Sequence, residues 1–143
     1  MAVDCSASGI EHLMQHIYQS LREHRKLIAN SLILGNFVEA KERSAKLSTI
    51  FTEYVIKQLD PRISELQDFR GKAGDTQYII DDLISNLFKL NSELKAICEG
   101  DISNDDDLNL LIRKEHQVEA FSETIIEICL QNRAKIDSVV SSR

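Results

Sequence analysis

Helix interruptions are scarce in this sequence: one proline, Pro61, and five glycines among 143 residues. With so few breakers, long helices can run unbroken. Tryptophan is missing and aromatics make up only 6%, so a core has to be built mainly of Leu and Ile. No run of about 18 uninterrupted apolar residues occurs, which excludes a membrane span. The opening MAVDCSASG lacks both a basic region and a long apolar run and is not a secretory signal. Cysteines are few. Cys5, Cys98 and Cys129 form an odd set without paired spacing, which argues against a disulfide framework and for a reducing, cytoplasmic compartment. Cys98 and Cys129 fall on or beside apolar stripes, as small buried hydrophobes do. Cys5 lies in a loose terminus where it can be exposed. A basic excess is also lacking. The net charge is -6, and Lys41, Arg43 and Lys46 are interleaved with Glu39 and Glu42. That pattern is a solvated helix face, and no nucleic acid is expected as a partner.

What is present is amphipathic. Hydrophobic residues are 43% and charged residues 28%, as in an ordered soluble protein. The length suits one domain spanning 1–143, with 1–7 and 141–143 frayed. The stretch from Ile79 to Cys98 organises the rest. Ile80, Leu83, Leu87, Leu90, Leu94 and Ile97 alternate three and four residues apart, which lines them along one side of a helix. Such a stripe needs helical neighbours.

The rest of the chain supplies them. Ser8 and Glu11 have the capping-box spacing and open a first helix. Its stripe is Ile10, Leu13, Met14, Ile17, Leu21 and Ile28, and the pattern runs to Leu34. Gly35 then offers a left-handed cap. Asn36 and Glu39 repeat the capping arrangement at once. A second helix follows, with Phe37, Ala40, Leu47, Phe51, Tyr54 and Val55 inside. So short a connection predicts an antiparallel hairpin. Pro61 either ends this helix near Leu59 or kinks it. The apolar continuity through Ile63, Leu66 and Phe69 favours the kink. Asp75 is the N-cap expected for the third long helix, which stops near Gly100. After the acidic linker Asp101–Asp107, a last helix is predicted from Leu108 to Val140. It carries Leu111, Val118, Ile125, Cys129 and Ile136 on one side, with Phe121, Ile128 and Val139 at the flank. Glu115, Ser122 and Asn132 interrupt that stripe and are places where helix register can be specified. The expected fold is therefore all-α: an antiparallel bundle of four long helices, five if broken at Pro61, with coiled-coil-like packing.

Chemistry is harder to find. His12 and His16 share a helix face at metal-ligand spacing, yet both point away from the stripe, and a bundle metal site points inward. His116 projects outward and His24 is expected at the boundary of the apolar face. No Glu-x-x-His pair occurs, which removes the di-iron signature. Read as a calcium loop, Asp101–Ile112 lacks the central glycine and the final glutamate. Gly71–Gly74 is too short for a phosphate loop, and no Ser or Cys stands in a nucleophile elbow. No catalytic, cofactor or metal residue is assigned, and the chain is expected to be no enzyme and to need no cofactor.

Apolar residues remain off the main stripes: Val38 and Ile56 on helix two, Ile126 and Leu130 on helix four. Broad burial explains them, and so does an edge that takes a partner helix. The run IANSLILGNFVEAKERSAKLSTIF resembles the first hairpin of bacterial flagellar and type III export chaperones of the FlgN/FliT type, with Gly35-Asn36-Phe37 at the turn. IIEICLQNRAKIDSV resembles that family's C-terminal helix. Together these cover about a third of the chain. The resemblance implies a non-enzymatic cytoplasmic chaperone holding the amphipathic helix of a protein partner, with contacts through Val118, Phe121, Ile125, Ile128 and Ile136. A homodimer is compatible with it. The alternative reading is a structural subunit of a larger coiled-coil complex. A helical-bundle metal protein is the third.

Overall fold

Helices with one apolar side must bury it against one another, and this chain does so by folding back on itself. The computed structural model describes residues 3–33, 35, 37–99 and 105–141, and of residues 31–33, 37, 40, 47, 55, 56, 105 and 108 the backbone alone. In order come α1 (Ala7–Ile33), α2 (Phe37–Tyr54), a π-helical turn (Val55–Leu59) and α3 (Asp60–Arg70). A 3-10 turn (Gly74–Thr76) leads into α4 (Gln77–Glu99), then α5 (Asp105–Gln131) and α6 (Arg133–Val140). The fold is all-α, with no strand among the described residues.

α1 packs on α2 and α5, while α4 packs on α5, α2 and α3. Sequence neighbours are thus neighbours in space, and α5 closes the ring against α1. The direction is antiparallel. On this seam His24 meets Glu115, and Glu11 near the start of α1 meets Arg133 near the end of the chain. The organising stripe of α4 is buried in full from Ile80 to Ile97, joined by Ile79 and Asn91. The α1 stripe is buried as well. Each buried Ile or Leu side chain of these stripes contributes about 1.5–3 kcal/mol. Val38 and Leu130 are exposed and Ile126 is half-buried. The side chains of Phe37, Ala40, Leu47, Val55 and Ile56, and the whole of Leu34, Asn36 and 100–104, lie outside the described residues.

Pro61 does not break the second helix. It sits at the second residue of α3, directly after the π-helical turn. Proline lacks the amide that would bond the Lys57 carbonyl, and its ring crowds that carbonyl. Widening the turn relieves the crowding while the helix continues. Gly35 has φ +72°, the left-handed conformation its capping position requires.

Four expectations need correction. α1 opens at Ala7, not at Ser8: Ser6 Oγ accepts from the Gly9 amide at 3.1 Å, and Asp137 Oδ1 accepts from the Ala7 amide at 2.9 Å. A tertiary partner thus caps the helix. Residues 3–7 are not frayed, because Cys5 and Ala7 are buried, with Cys5 against α3. Asp75 lies inside the 3-10 turn rather than immediately before α4. The last helix is interrupted at Asn132 (φ -125°, ψ 22°), whose Nδ2 donates to the Ile128 carbonyl at 3.0 Å. A side chain that bonds the preceding turn competes with the regular ladder there.

Candidate functional site

The α1/α5 seam follows a heptad. On α1, Ile10, Met14, Ile17, Leu21, His24 and Ile28 alternate four and three apart, and all are buried. On α5, Leu111, Glu115, Val118, Ser122, Ile125 and Cys129 do the same and are buried too. Polar residues therefore occupy core positions on both helices. His24, expected at a boundary, is only 1% exposed, and Glu115 is fully buried. They meet across the seam, with His24 Nδ1 on Glu115 Oε1. The imidazole also stands edge-on to Phe51 of α2, with ring centroids 6.1 Å apart at 88°. One position along, Arg25 and Glu119 form a second, more exposed ion pair.

Satisfaction is incomplete. His24 Nε2, Glu115 Oε2, Arg25 Nη1 and Ser122 Oγ are buried without a protein partner. Beside the pair lies a cavity of about 170 Å³ lined by Arg25, Ile28, Ala29, Ile112 and Glu115. Each buried polar group left unpaired costs about 1–3 kcal/mol, and a void forfeits dispersion contacts. This is the least economical stretch of an otherwise Leu- and Ile-rich core. The signal was present in the sequence: two polar residues of opposite chemistry, each at a heptad position on its own helix. The register alone does not say that they face each other.

The residues expected to contact a partner divide. Val118, Ile125 and Ile136 are fully buried in the bundle, whereas Phe121 and Ile128 are half-buried at its flank. In the closed bundle the first three belong to the core. They are reachable only if α5 separates from its neighbours. Leu110 and Leu130 on the same helix are exposed.

Cys5, Cys98 and Cys129 form no disulfide with one another. Burial pushes the Cys129 thiol up to about 12 and raises that of Cys98. Cys98 Sγ also donates to the Ser48 carbonyl at 3.4 Å. Among the described residues no three His, Cys, Asp or Glu side chains gather in a way that could hold a metal ion. His12 and His16 are exposed and line an open groove of about 400 Å³ between α1 and the α2/α3 helix. Leu13, Gly9, Tyr54, Gln58, Arg62 and Asp4 complete its lining. Arg62 is buried there, a residue for which the chain's pattern gave no warning. Burial lowers its pKa, since a guanidinium out of water holds its proton less firmly. Hydrogen bonds from Ser6 hold the Asp4 carboxyl below its ordinary value, helped by Arg62 and His12.

No helix among the described residues is long and apolar enough to cross a membrane. Comparison with protein-family models, curated proteins and solved structures finds no match for this chain.

Proposed function

We propose that this chain is a non-enzymatic protein-binding bundle, an export chaperone or adaptor of the FlgN/FliT type, that receives a partner's amphipathic helix on α5. The observation that carries the reading is the α1/α5 seam. Its buried atoms without partners, and the cavity beside them, make it the cheapest place to open. Opening lets water satisfy His24, Glu115 and Ser122, which offsets part of the apolar burial lost. It also frees Val118 and Ile125 beside the half-buried Phe121 and Ile128. A helix laid into such a groove reads anchors three and four residues apart, and Val118, Phe121, Ile125 and Ile128 have that spacing.

Two measurements test this. Native-state hydrogen exchange is expected to show α5 and the facing part of α1 opening at lower free energy than α4. Partner capture from the host is expected to fail for Phe121→Ser and Ile128→Ser, which lie at the flank and leave the fold intact. Equal protection of α4 and α5, together with undiminished capture by both variants, would overturn the proposal.

The second reading, a subunit of a larger coiled-coil assembly, has its own support. Exposed large apolar side chains occur on three helices: Val38 and Ile50 on α2, Tyr78 and Phe88 on α4, Leu110 and Leu130 on α5. Size measurement of the purified chain separates the two. A chaperone is a monomer or small dimer alone, whereas an obligate subunit aggregates without its mate.

A further inference from the structure

Beside the His24–Glu115 pair, α1 and α5 leave a cavity of about 170 Å³ between them. Its walls are mostly apolar. Ile28 is buried, Ile112 is half-buried, and Ala29 lies exposed at the mouth. The alanine keeps that mouth open, because its side chain ends at Cβ. The size is that of a six-carbon ring: an apolar protein cavity of about 150 Å³ stays dry and takes up benzene.

Two polar residues complete the lining, and each has an atom to spare. Glu115 is fully buried, with Oε1 on His24 Nδ1 and Oε2 without a partner. Arg25 holds Glu119 through Nη2, while its Nη1 is buried and unpartnered. One enclosure thus contains an acceptor that lacks a donor and a donor that lacks an acceptor, each unmade bond carrying a desolvation cost. A cationic ligand would satisfy Glu115 but stand against the Arg25 guanidinium. An anionic one would satisfy Arg25 but stand against Glu115. A neutral hydroxyl suits both, since it donates its proton and accepts on its oxygen.

We propose that this cavity binds a small neutral hydroxyl compound with an apolar body of about six carbons, a phenol in its simplest form. The ring lies against Ile28, Ala29 and Ile112. The hydroxyl donates to Glu115 Oε2 and accepts from Arg25 Nη1. Water makes the same two bonds but leaves the apolar walls wet, so a phenol gains the burial that water does not. Because the ligand bridges α1 and α5, it favours the closed bundle by mass action. The site does not rest on the chaperone reading: it exists in the closed bundle and is read on the isolated chain.

The test uses the full chain, with calorimetry and isoleucine methyl NMR. Phenol, benzene, benzylamine and benzoate are compared at one pH and ionic strength. Phenol is expected to bind saturably at one site, moving the Ile28 and Ile112 methyl resonances and leaving those of Ile79 and Ile80 on α4 still. Benzene leaves both polar atoms unpaired and is expected to bind roughly tenfold more weakly, and the two charged compounds more weakly than phenol as well. Arg25→Met keeps an aliphatic wall but removes the donor. It is expected to lose roughly tenfold in phenol affinity and nothing for benzene. Ala29→Leu adds bulk at an exposed position and is expected to keep the parent's melting curve while abolishing phenol binding. Amide exchange along α5 is expected to slow at saturating phenol. Absence of saturable binding, equal affinity for phenol and benzene, undiminished phenol binding by folded Ala29→Leu, or α5 exchange unmoved at saturation would each overturn the proposal.

Discussion

Replacing the buried pair tests the energetics of the seam directly. His24→Leu leaves the Glu115 carboxylate buried with no partner on either oxygen. Removing one partner of a buried pair costs about 3–5 kcal/mol where the group left behind is charged. Glu115→Leu leaves the imidazole instead, with neither ring nitrogen paired, at about 1–3 kcal/mol. The order is therefore asymmetric, with the histidine variant the less stable. The double variant His24→Leu/Glu115→Leu removes both polar groups. It places leucines among Leu21, Ile28, Leu111 and Val118, beside the Phe51 ring, and fills part of the neighbouring cavity. Hydrophobic replacement of a whole buried pair ranges from neutral to about 4 kcal/mol stabilising. The double variant should then equal or exceed the parent although each single falls below it. Urea unfolding followed by far-UV circular dichroism reads all four proteins, provided the m-values agree. At roughly 4 °C per kcal/mol for a chain of this size, His24→Leu should melt at least about 12 °C lower. Singles within about 0.5 kcal/mol of the parent, or a double variant as unstable as the sum of the singles, would refute the reasoning. If the seam must open for function, the double variant should also fold well and capture no partner.

Three further outcomes follow from particular residues. Because burial holds the Cys129 thiol neutral up to about 12, its contribution to stability is complete below the ordinary thiol value and is lost as pH rises toward 12. Alkaline unfolding curves should show Cys129→Ala losing less stability than the parent, by about 1.4 kcal/mol per pH unit between those limits. The Asp4 carboxyl is held low by Ser6, so its contribution is present above the ordinary carboxylate value and lost as pH falls through the folded one. Asp4→Asn should flatten the acid limb of a pH–stability profile, and an unchanged limb would show the Ser6 contact to be idle. A methyl group at Gly9 would meet Asp4 Cγ at 2.5 Å and the Asp4 carbonyl at 2.7 Å. Gly9→Ala is therefore expected to push the N-terminal strap off α3 and cost about 1–3 kcal/mol in urea unfolding, with Cys5 becoming reactive to a thiol reagent.

Periodicity alone determined the all-α architecture and the α1 and α4 stripes, because apolar spacing is a one-dimensional property that dictates which side of a helix turns inward. Gly35 was legible for a similar reason: a left-handed residue after an apolar run leaves few candidates. Ser6 could not be distinguished from Ser8 as the cap, since both precede the same run, and the Asp137 carboxylate that also caps α1 comes from the far end of the chain. Tertiary structure likewise decided that the helix continues past Pro61 through a π turn and that Val118, Ile125 and Ile136 are core. It also decided that His24, Glu115 and Arg62 are buried. Whether a polar residue on a helix is solvated or enclosed depends on which neighbour covers it. Coverage is set by how four helices fit together in three dimensions, which no single helix records.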